Sequence, residues 1–457
     1  MFNFRNAFYI SLYLINAILV GVYESILCTL PTLIILVFFV SKLKSDKFDL
    51  LDMFTFCYFV FFILAPLQSI KGLGLGDGVY FSIGPAEGLF FHLDEALTGT
   101  LIVSFFLLIS FVFFMLFTNG DKYPSKAVVV SGSVNYSSVL KSNILLFLSC
   151  MFCFLFVLFS GGLENVLASR FDKIDEDISN LTVIFLSAVS VCVFVFTSYY
   201  FDLSPSNKIK CWAQYVSCIL LLLLICNPLT TPRFVLIGCW LPVFFIAVKR
   251  GFDVRRTYAV IFISILFVLP ALSLTSRMGV EGFEEMGNAF NLNRLFISPY
   301  ADVFDTLVYL IRYVGYNGYT YGENLIGLLT FYIPREIWSG KPDLIAISLG
   351  EDLMYFSNAG TSNLSSFYGG ELFMDFHLFG VFLAGLALAS LMYWVRSIDT
   401  KEGLTAFMKI PVFIFIGAVP IIIRGPIMAV GTLMLFQLVW FYVFVFSMKF
   451  FMSGRLR

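Results

Sequence analysis

Leu97-Thr98-Gly99-Thr100-Leu101-Ile102-Val103-Ser104-Phe105-Phe106-Leu107-Leu108-Ile109-Ser110-Phe111-Val112-Phe113-Phe114-Met115-Leu116-Phe117 runs for 21 residues without a charge. A helix needs about 20 apolar residues to cross the hydrocarbon of a bilayer, so this stretch reads as a membrane span. Similar runs recur at 7–23, 26–42, 50–66, 142–160, 181–201, 211–226, 234–248, 257–274, 375–395, 408–423 and 427–448. Together they predict about 12 transmembrane helices, with both termini on one side. The chain is 59% hydrophobic, carries 56 phenylalanines and has a mean hydropathy of +0.91, more apolar surface than a soluble core uses. The expected fold is an all-α integral membrane protein: one polytopic domain over 1–457, with a large late external loop at 275–370. The first run reads as a span and not a removable leader, because no small-residue cleavage site follows it.

Lysine and arginine give the orientation. One set of loops holds Arg5, Lys42, Lys44, Lys47, Lys122, Lys126, Lys141, Lys208, Lys210, Lys249, Arg250, Arg255, Arg256, Arg396, Lys401, Lys409, Lys449, Arg455 and Arg457. These are 19 of the 29 basic residues, which makes that side cytoplasmic by the positive-inside rule. The remaining ten fall on the other side, which carries three notable loops: 67–96, 160–180 and 275–370. Within the last, Tyr300 to Tyr313 places Val303, Leu307, Leu310 and Ile311 at helical spacing, as expected of a helix lying along the interface; Glu323 to Thr330 is read the same way.

Several functions are disfavoured. Cytoplasmic loops reach at most about two dozen residues, too short for a nucleotide-binding domain, and no GxxxxGK[ST] loop is present. The net charge of −1 suggests no nucleic-acid partner. All nine cysteines lie in or beside apolar runs and read as small buried residues, Cys150 and Cys153 included despite their CxxC spacing. There is no HExxH or GxSxG to support a zinc or serine hydrolase. No metal or cofactor is expected.

What chemistry the sequence offers lies outside. Arg233 in Thr230-Thr231-Pro232-Arg233, Arg277 in Thr275-Ser276-Arg277-Met278-Gly279 and Arg424 in Ile423-Arg424-Gly425-Pro426 each end flush with an apolar run. An ionisable side chain at membrane depth usually faces a cavity or a partner. Guanidinium forks meet phosphate oxygens bidentately and stay charged, so such arginines suit a lipid diphosphate. The plain alternative is that each one snorkels or pairs with a loop carboxylate. The stretch Phe331-Tyr332-Ile333-Pro334-Arg335-Glu336-Ile337-Trp338-Ser339-Gly340-Lys341-Pro342 brackets Arg335 and Lys341 between prolines. It fits a stiff phosphate-binding loop, or an interfacial anchor with Trp338 at the membrane edge. Arg312 is a further substrate-binding candidate. Glu371 and Asp375, four apart in Tyr368-Gly369-Gly370-Glu371-Leu372-Phe373-Met374-Asp375, share a helical face at the start of the tenth span. Either could be a base for a sugar hydroxyl, or an acid favoured by the helix dipole. His377 is a candidate contact or base, or a packing histidine.

These residues resemble the Wzy family, the bacterial oligosaccharide repeat-unit (O-antigen type) polymerases. The likeness rests on the 331–342 stretch, which is similar to that family's IPR/S-x-x-W-x-x-K/R-P signature. Thr231-Pro232-Arg233, Ser276-Arg277-Met278-Gly279, Gly369-Gly370-Glu371-Leu372 and Arg424 follow in the same order over about 225–430. The first 220 residues match in topology alone. The resemblance implies a polytopic glycosyltransferase class that uses lipid-linked sugars, and an inverting, metal-independent transfer on the periplasmic face of a bacterial inner membrane. The growing glycan leaves undecaprenyl diphosphate and joins a new undecaprenyl-diphosphate-linked repeat unit. It implies that Arg233, Arg277, Arg335 and Arg424 bind the diphosphates, that Lys341 assists and that Glu371 is the base. Expected partners are lipid-linked oligosaccharides, a chain-length-regulating membrane protein and the flippase of the same pathway. The rivals are an O-antigen ligase with lipid A-core as acceptor, and a flippase or transporter of lipid-linked oligosaccharide.

Overall fold

The structure, a computed structural model, describes residues 4–43, 48–72, 78–81, 90–118, 138–167, 180–228, 231–248, 253–264, 267, 302–330, 333, 338–342, 345–356, 364–400, 407–425 and 427–453. Among these, eight helices are long and apolar enough to cross a membrane, and three shorter ones are also apolar. The protein is a helical, polytopic membrane protein. A helix lies on each of the twelve apolar runs. For 257–274 it is Val254–Ile263, and most of that run's remainder lies outside the described residues.

The first helix, α1 (Phe4–Val20), shows what solvent the fold is built for. It buries Arg5, Asn6, Tyr9, Tyr13, Asn16 and Ala17, and it exposes Leu14, Ile15, Ile18 and Leu19. Polar residues inside and aliphatic residues outside invert the pattern of a soluble helix and suit lipid.

α2 (Tyr23–Ser41) returns beside α1, and α3 (Leu50–Ser69) then runs through the middle of the bundle. Asp49 starts α3 with a reciprocal capping box: its carboxylate accepts from the N–H groups of Leu51 and Asp52, and Asp52 accepts from the Asp49 N–H. Val60–Leu64 is a π turn just before Pro66, where the Ala65 N–H reaches back to the Val60 carbonyl. Such a turn inserts one residue and re-aims the face that follows. Beyond it Gln68 points to Asn16 of α1 (2.8 Å) and Ser69 points to Asp305 (3.0 Å). After α3, the strands β1 (Ile70–Gly72), β2 (Gly78–Phe81) and β3 (Phe90–His92) form a small antiparallel sheet, with Ile70 opposite Phe81 and Gly78 opposite His92. This sheet is the departure from an all-helical chain among the described residues.

The helices that follow are α4 (Leu93–Phe117), α5 (Ser138–Phe159), α7 (Asn180–Asp202), α8 (Pro205–Ile225), α9 (Arg233–Val248) and α10 (Val254–Ile263), with the short α6 (Leu163–Leu167) between the second and third of these. α10 reaches the start of α1 and α3 through Tyr258, whose hydroxyl lies 2.9 Å from that of Tyr9 and donates to Asp52 at 3.0 Å. Arg5 completes this cluster with two bonds to Asp52, at 2.5 and 2.8 Å. One turn along α1, Tyr13 bonds Thr29 of α2 at 3.1 Å.

The segment expected to lie along the interface forms α11 (Val303–Asn317) but packs inward. Its residues 303–310 are all buried, against α3, α4 and the chain before α14. Its polar residues are satisfied inside the protein, so that face has no need of water. α12 (Glu323–Leu329) and α13 (Ile345–Phe356) follow.

α14 (Tyr368–Thr400) is two helices divided at Phe376 and His377, whose backbone is not helical. In an unbroken helix Tyr368 and Leu388 would stand about 30 Å apart at 1.5 Å per residue. Instead they line one small apolar cavity, together with Ala387, Leu391, Ile422, Gly431 and Met434. The chain therefore doubles back, with the limb 368–375 lying against 380–388. The reversal depends on Gly380: a Cβ there would sit 1.7 Å from the Leu372 carbonyl oxygen. α15 (Ile410–Arg424), whose residues are all buried, and α16 (Ile427–Ser453) close the bundle.

Candidate active site

One end of the bundle gathers the chemistry. There α3 ends at Ser69, α4 begins at Leu93, α15 ends at Arg424, and α11 lies across them. α11 makes a polar contact with a different element on nearly every turn.

At its N-terminal edge, Asp302 accepts from Arg424 Nη2 at 2.8 Å and from the Ser365 hydroxyl at 2.8 Å. Ser365 Oγ also lies 3.2 Å from Thr306 Oγ1, and the Ser366 N–H donates to the Arg424 carbonyl at 3.1 Å. Arg424 is the last residue of α15, where the helix dipole favours a cation. Both members of the ion pair are about nine-tenths buried. In such surroundings a charge persists only when paired and hydrogen-bonded.

One turn on, Asp305 accepts from Ser69. Burial pushes its carboxyl well above the usual carboxylate range; the Ser69 bond opposes this, and neighbouring Asp302 adds to it. The ring hydroxyl of Tyr309 donates to Asp352 of α13 at 2.5 Å, and burial raises its pKa as well. Arg312 grips Glu95 of α4 with a two-pronged contact, at 2.9 and 2.6 Å.

Glu371 and Asp375 lie on the first limb of α14, ahead of the break and not at the start of the membrane-crossing limb. Both are buried. They do different work. Asp375 accepts from the Thr320 hydroxyl (2.6 Å), Asn324 Nδ2 (3.0 Å) and the backbone N–H groups of Asn324 (3.2 Å) and Leu325 (2.9 Å). It is the N-terminal cap of α12, supplied from 50 residues away, and its lone pairs are spent. Glu371 follows Ser366 by five residues, and its N–H donates to the Phe367 carbonyl at 2.9 Å. His377 is exposed at the reversal, with its ring against Tyr319 (5.4 Å) and Phe373 (5.2 Å).

In the 331–342 stretch, Lys341 Nζ donates to the Ile333 carbonyl at 3.1 Å and its N–H to the Trp338 carbonyl at 3.2 Å. The lysine thus closes the loop on itself, with Trp338 half-buried. Arg335 and Arg277 lie outside the described residues. Arg233 begins α9, and its side chain is likewise outside them. The structure therefore pairs Arg424 with Asp302, the position just ahead of the helix that carries Arg312, while Lys341 serves its own loop.

Sequence reasoning missed Asp302, Asp305, Ser69 and Ser365. Asp302 stands one residue ahead of the helical pattern that begins at Val303, the position from which an acid meets a helix start. Nothing in the spacing says that Arg424 will arrive there. Among the described residues, no three His, Cys, Asp or Glu side chains converge as a metal site. No protein-family model, curated protein sequence or solved structure matches this chain.

Proposed function

We propose that the protein is an O-antigen-type polymerase that transfers a growing glycan from undecaprenyl diphosphate to a new lipid-linked repeat unit. The reading holds the chain to twelve crossings, with both termini in the cytoplasm of a bacterium and the Arg424 end of the bundle at the periplasm. The observation that carries it is the buried group of Arg424, Asp302 and Ser365, set where apolar helices end, with Glu371 buried on the limb that follows Ser365. A lipid diphosphate delivers its charge at that depth, and a guanidinium pre-oriented by a carboxylate stabilises charge developing on a leaving diphosphate. Asp302 orients Arg424; Glu371, buried on the limb that follows Ser365, takes the proton of the acceptor hydroxyl as the new glycosidic bond forms at inverted configuration. Arg233, Arg277 and Arg335 join the clamp in this reading, and Lys341 and Trp338 shape the loop that carries Arg335. The partners are the lipid-linked oligosaccharides, a chain-length regulator and the flippase.

The test is the lipopolysaccharide ladder of a deletion strain. A band of core plus one repeat unit supports polymerase. Core alone means that ligase or flippase function was lost, and an unchanged ladder rejects all three.

A further inference from the structure

Two turns lock together, one after α11 and one at the break in α14, and each contains a residue in a conformation that L-amino acids avoid. Tyr321 has φ +49° and His377 has φ +56° with ψ −145°; among the described residues they are the two non-glycine residues with positive φ. The His377 geometry borders a region populated almost only by glycine. The turns touch directly. The Thr320 N–H donates to the Met374 carbonyl at 3.1 Å, Thr320 and Asn324 both reach Asp375, and Gly322 lies against the Phe376 ring. Strain of this kind survives only where its surroundings over-determine it, and the Asp375 network does so here.

What the strain achieves is display. Tyr321 and Tyr316 are each 83% exposed, His377 is exposed, and Asn317 and Glu323 are exposed between the tyrosines and beside them. The Tyr319 ring backs His377 from below. Exposed aromatic rings with exposed amide and carboxylate groups on the same turn match the amphipathic surface of a sugar. The ring faces take the C–H side of a pyranose, and the polar groups take its hydroxyls. An interfacial tyrosine belt also exposes tyrosines, but it has no use for a histidine forced into a glycine-like backbone.

From this we infer that Tyr316, Tyr321 and His377 form a carbohydrate-binding platform that holds a repeat-unit sugar next to the limb carrying Glu371. The inference rests on the polymerase reading and names the place where that reaction's glycan is gripped.

The platform is tested by exploiting the strain. His377→Gly and Tyr321→Gly each remove a ring and relieve the backbone, and Tyr316→Ala removes a ring from a helix surface. The full-length protein in lipid nanodiscs is titrated with oligosaccharide cleaved by mild acid from the host's own lipid-linked repeat units, and its thermal midpoint is recorded. The expected result is an affinity at least tenfold weaker in the triple variant, with an unchanged or higher midpoint and shorter polymer in cells. Unchanged affinity overturns the platform, whether stability is kept or lost; lost stability would mark the residues as serving the fold or the membrane interface. Wild-type protein that builds polymer beside variants that bind equally well sinks this inference alone. A deletion strain with an unaltered ladder, or a wild type blind to the oligosaccharide, sinks it together with the polymerase reading.

Discussion

Asp302 and Arg424 stand 122 positions apart in the sequence and 2.8 Å apart in the fold. The contact ties the start of α11 to the end of α15. Removing one partner of a buried pair costs about 3–5 kcal/mol, whereas replacing both by neutral groups is often tolerated. Asp302→Ala is therefore expected to lower stability by about that amount and to abolish long glycan. Asp302→Asn combined with Arg424→Gln should recover most of the stability and none of the polymer. Thermal unfolding in nanodiscs and the glycan ladder read the two effects separately. A stable, active Asp302→Ala would show that the pair matters to neither.

Glu371 is buried on the first limb of α14, and its substitution separates chemistry from architecture. Glu371→Gln keeps the volume and a hydrogen-bonding oxygen but loses the base. Single repeat units should persist on lipid A-core while the ladder disappears, with an unchanged thermal midpoint. General-base assistance contributes about 10²–10⁴-fold, so turnover in vitro should fall by that range. A normal ladder removes Glu371 from the mechanism.

Much of the framework was legible in the sequence, because a bilayer forces long apolar runs and penalises interruptions. A helix lies on every run read as a span, and even the amphipathic pattern near Val303 marks a real helix. Its location was not legible. The same 3.6-residue pattern describes a helix on lipid and one buried in the bundle, and only the partners of Asp302, Asp305 and Arg312 decide between them. The doubling-back of α14 was hidden for a related reason: Glu371 and Asp375 are four apart on any helix, and the residue that permits the reversal, Gly380, is one glycine among 33. The polar face of α1 was unread because Tyr9, Tyr13 and Asn16 break no apolar run. Of the candidate site, Arg424 and Glu371 were visible as residues, whereas Asp302 needed the fold.

Gly380 carries the reversal of α14, and a methyl group there has nowhere to go. The obstacle is backbone, the Leu372 carbonyl at 1.7 Å from an added Cβ, so no rotamer relieves it. Gly380→Ala should force the limb 368–375 away and displace Glu371 and Asp375 together. Overpacking of a well-packed core costs about 1–3 kcal/mol, and backbone overlap puts this change at or above the upper end. A loss of folded protein in detergent extracts is expected, along with loss of the ladder. An alanine variant as stable as wild type would mean that the limb does not fold back.

The opposite end of the bundle supplies a pH dependence of definite sign. Asp49 caps α3 beside the Arg5–Asp52 pair. Its carboxyl is raised from 3.8 to about 7, chiefly by burial and then by the Asp52 charge, with the hydrogen bond from the Asp52 N–H, then Arg5 and Arg396, opposing. A carboxyl raised in the folded state binds more protons there than in the unfolded chain across that interval. Its contribution therefore favours folding at low pH and is lost as pH climbs from about 4 to about 7. The thermal midpoint in nanodiscs should be higher near pH 5 than near pH 8. Asp49→Asn keeps an oxygen to accept from Leu51 and Asp52 but does not titrate, so it should flatten this slope. If the variant kept the wild-type slope, the dependence would belong to other groups; a wild-type midpoint rising with pH over the same window would contradict the sign itself.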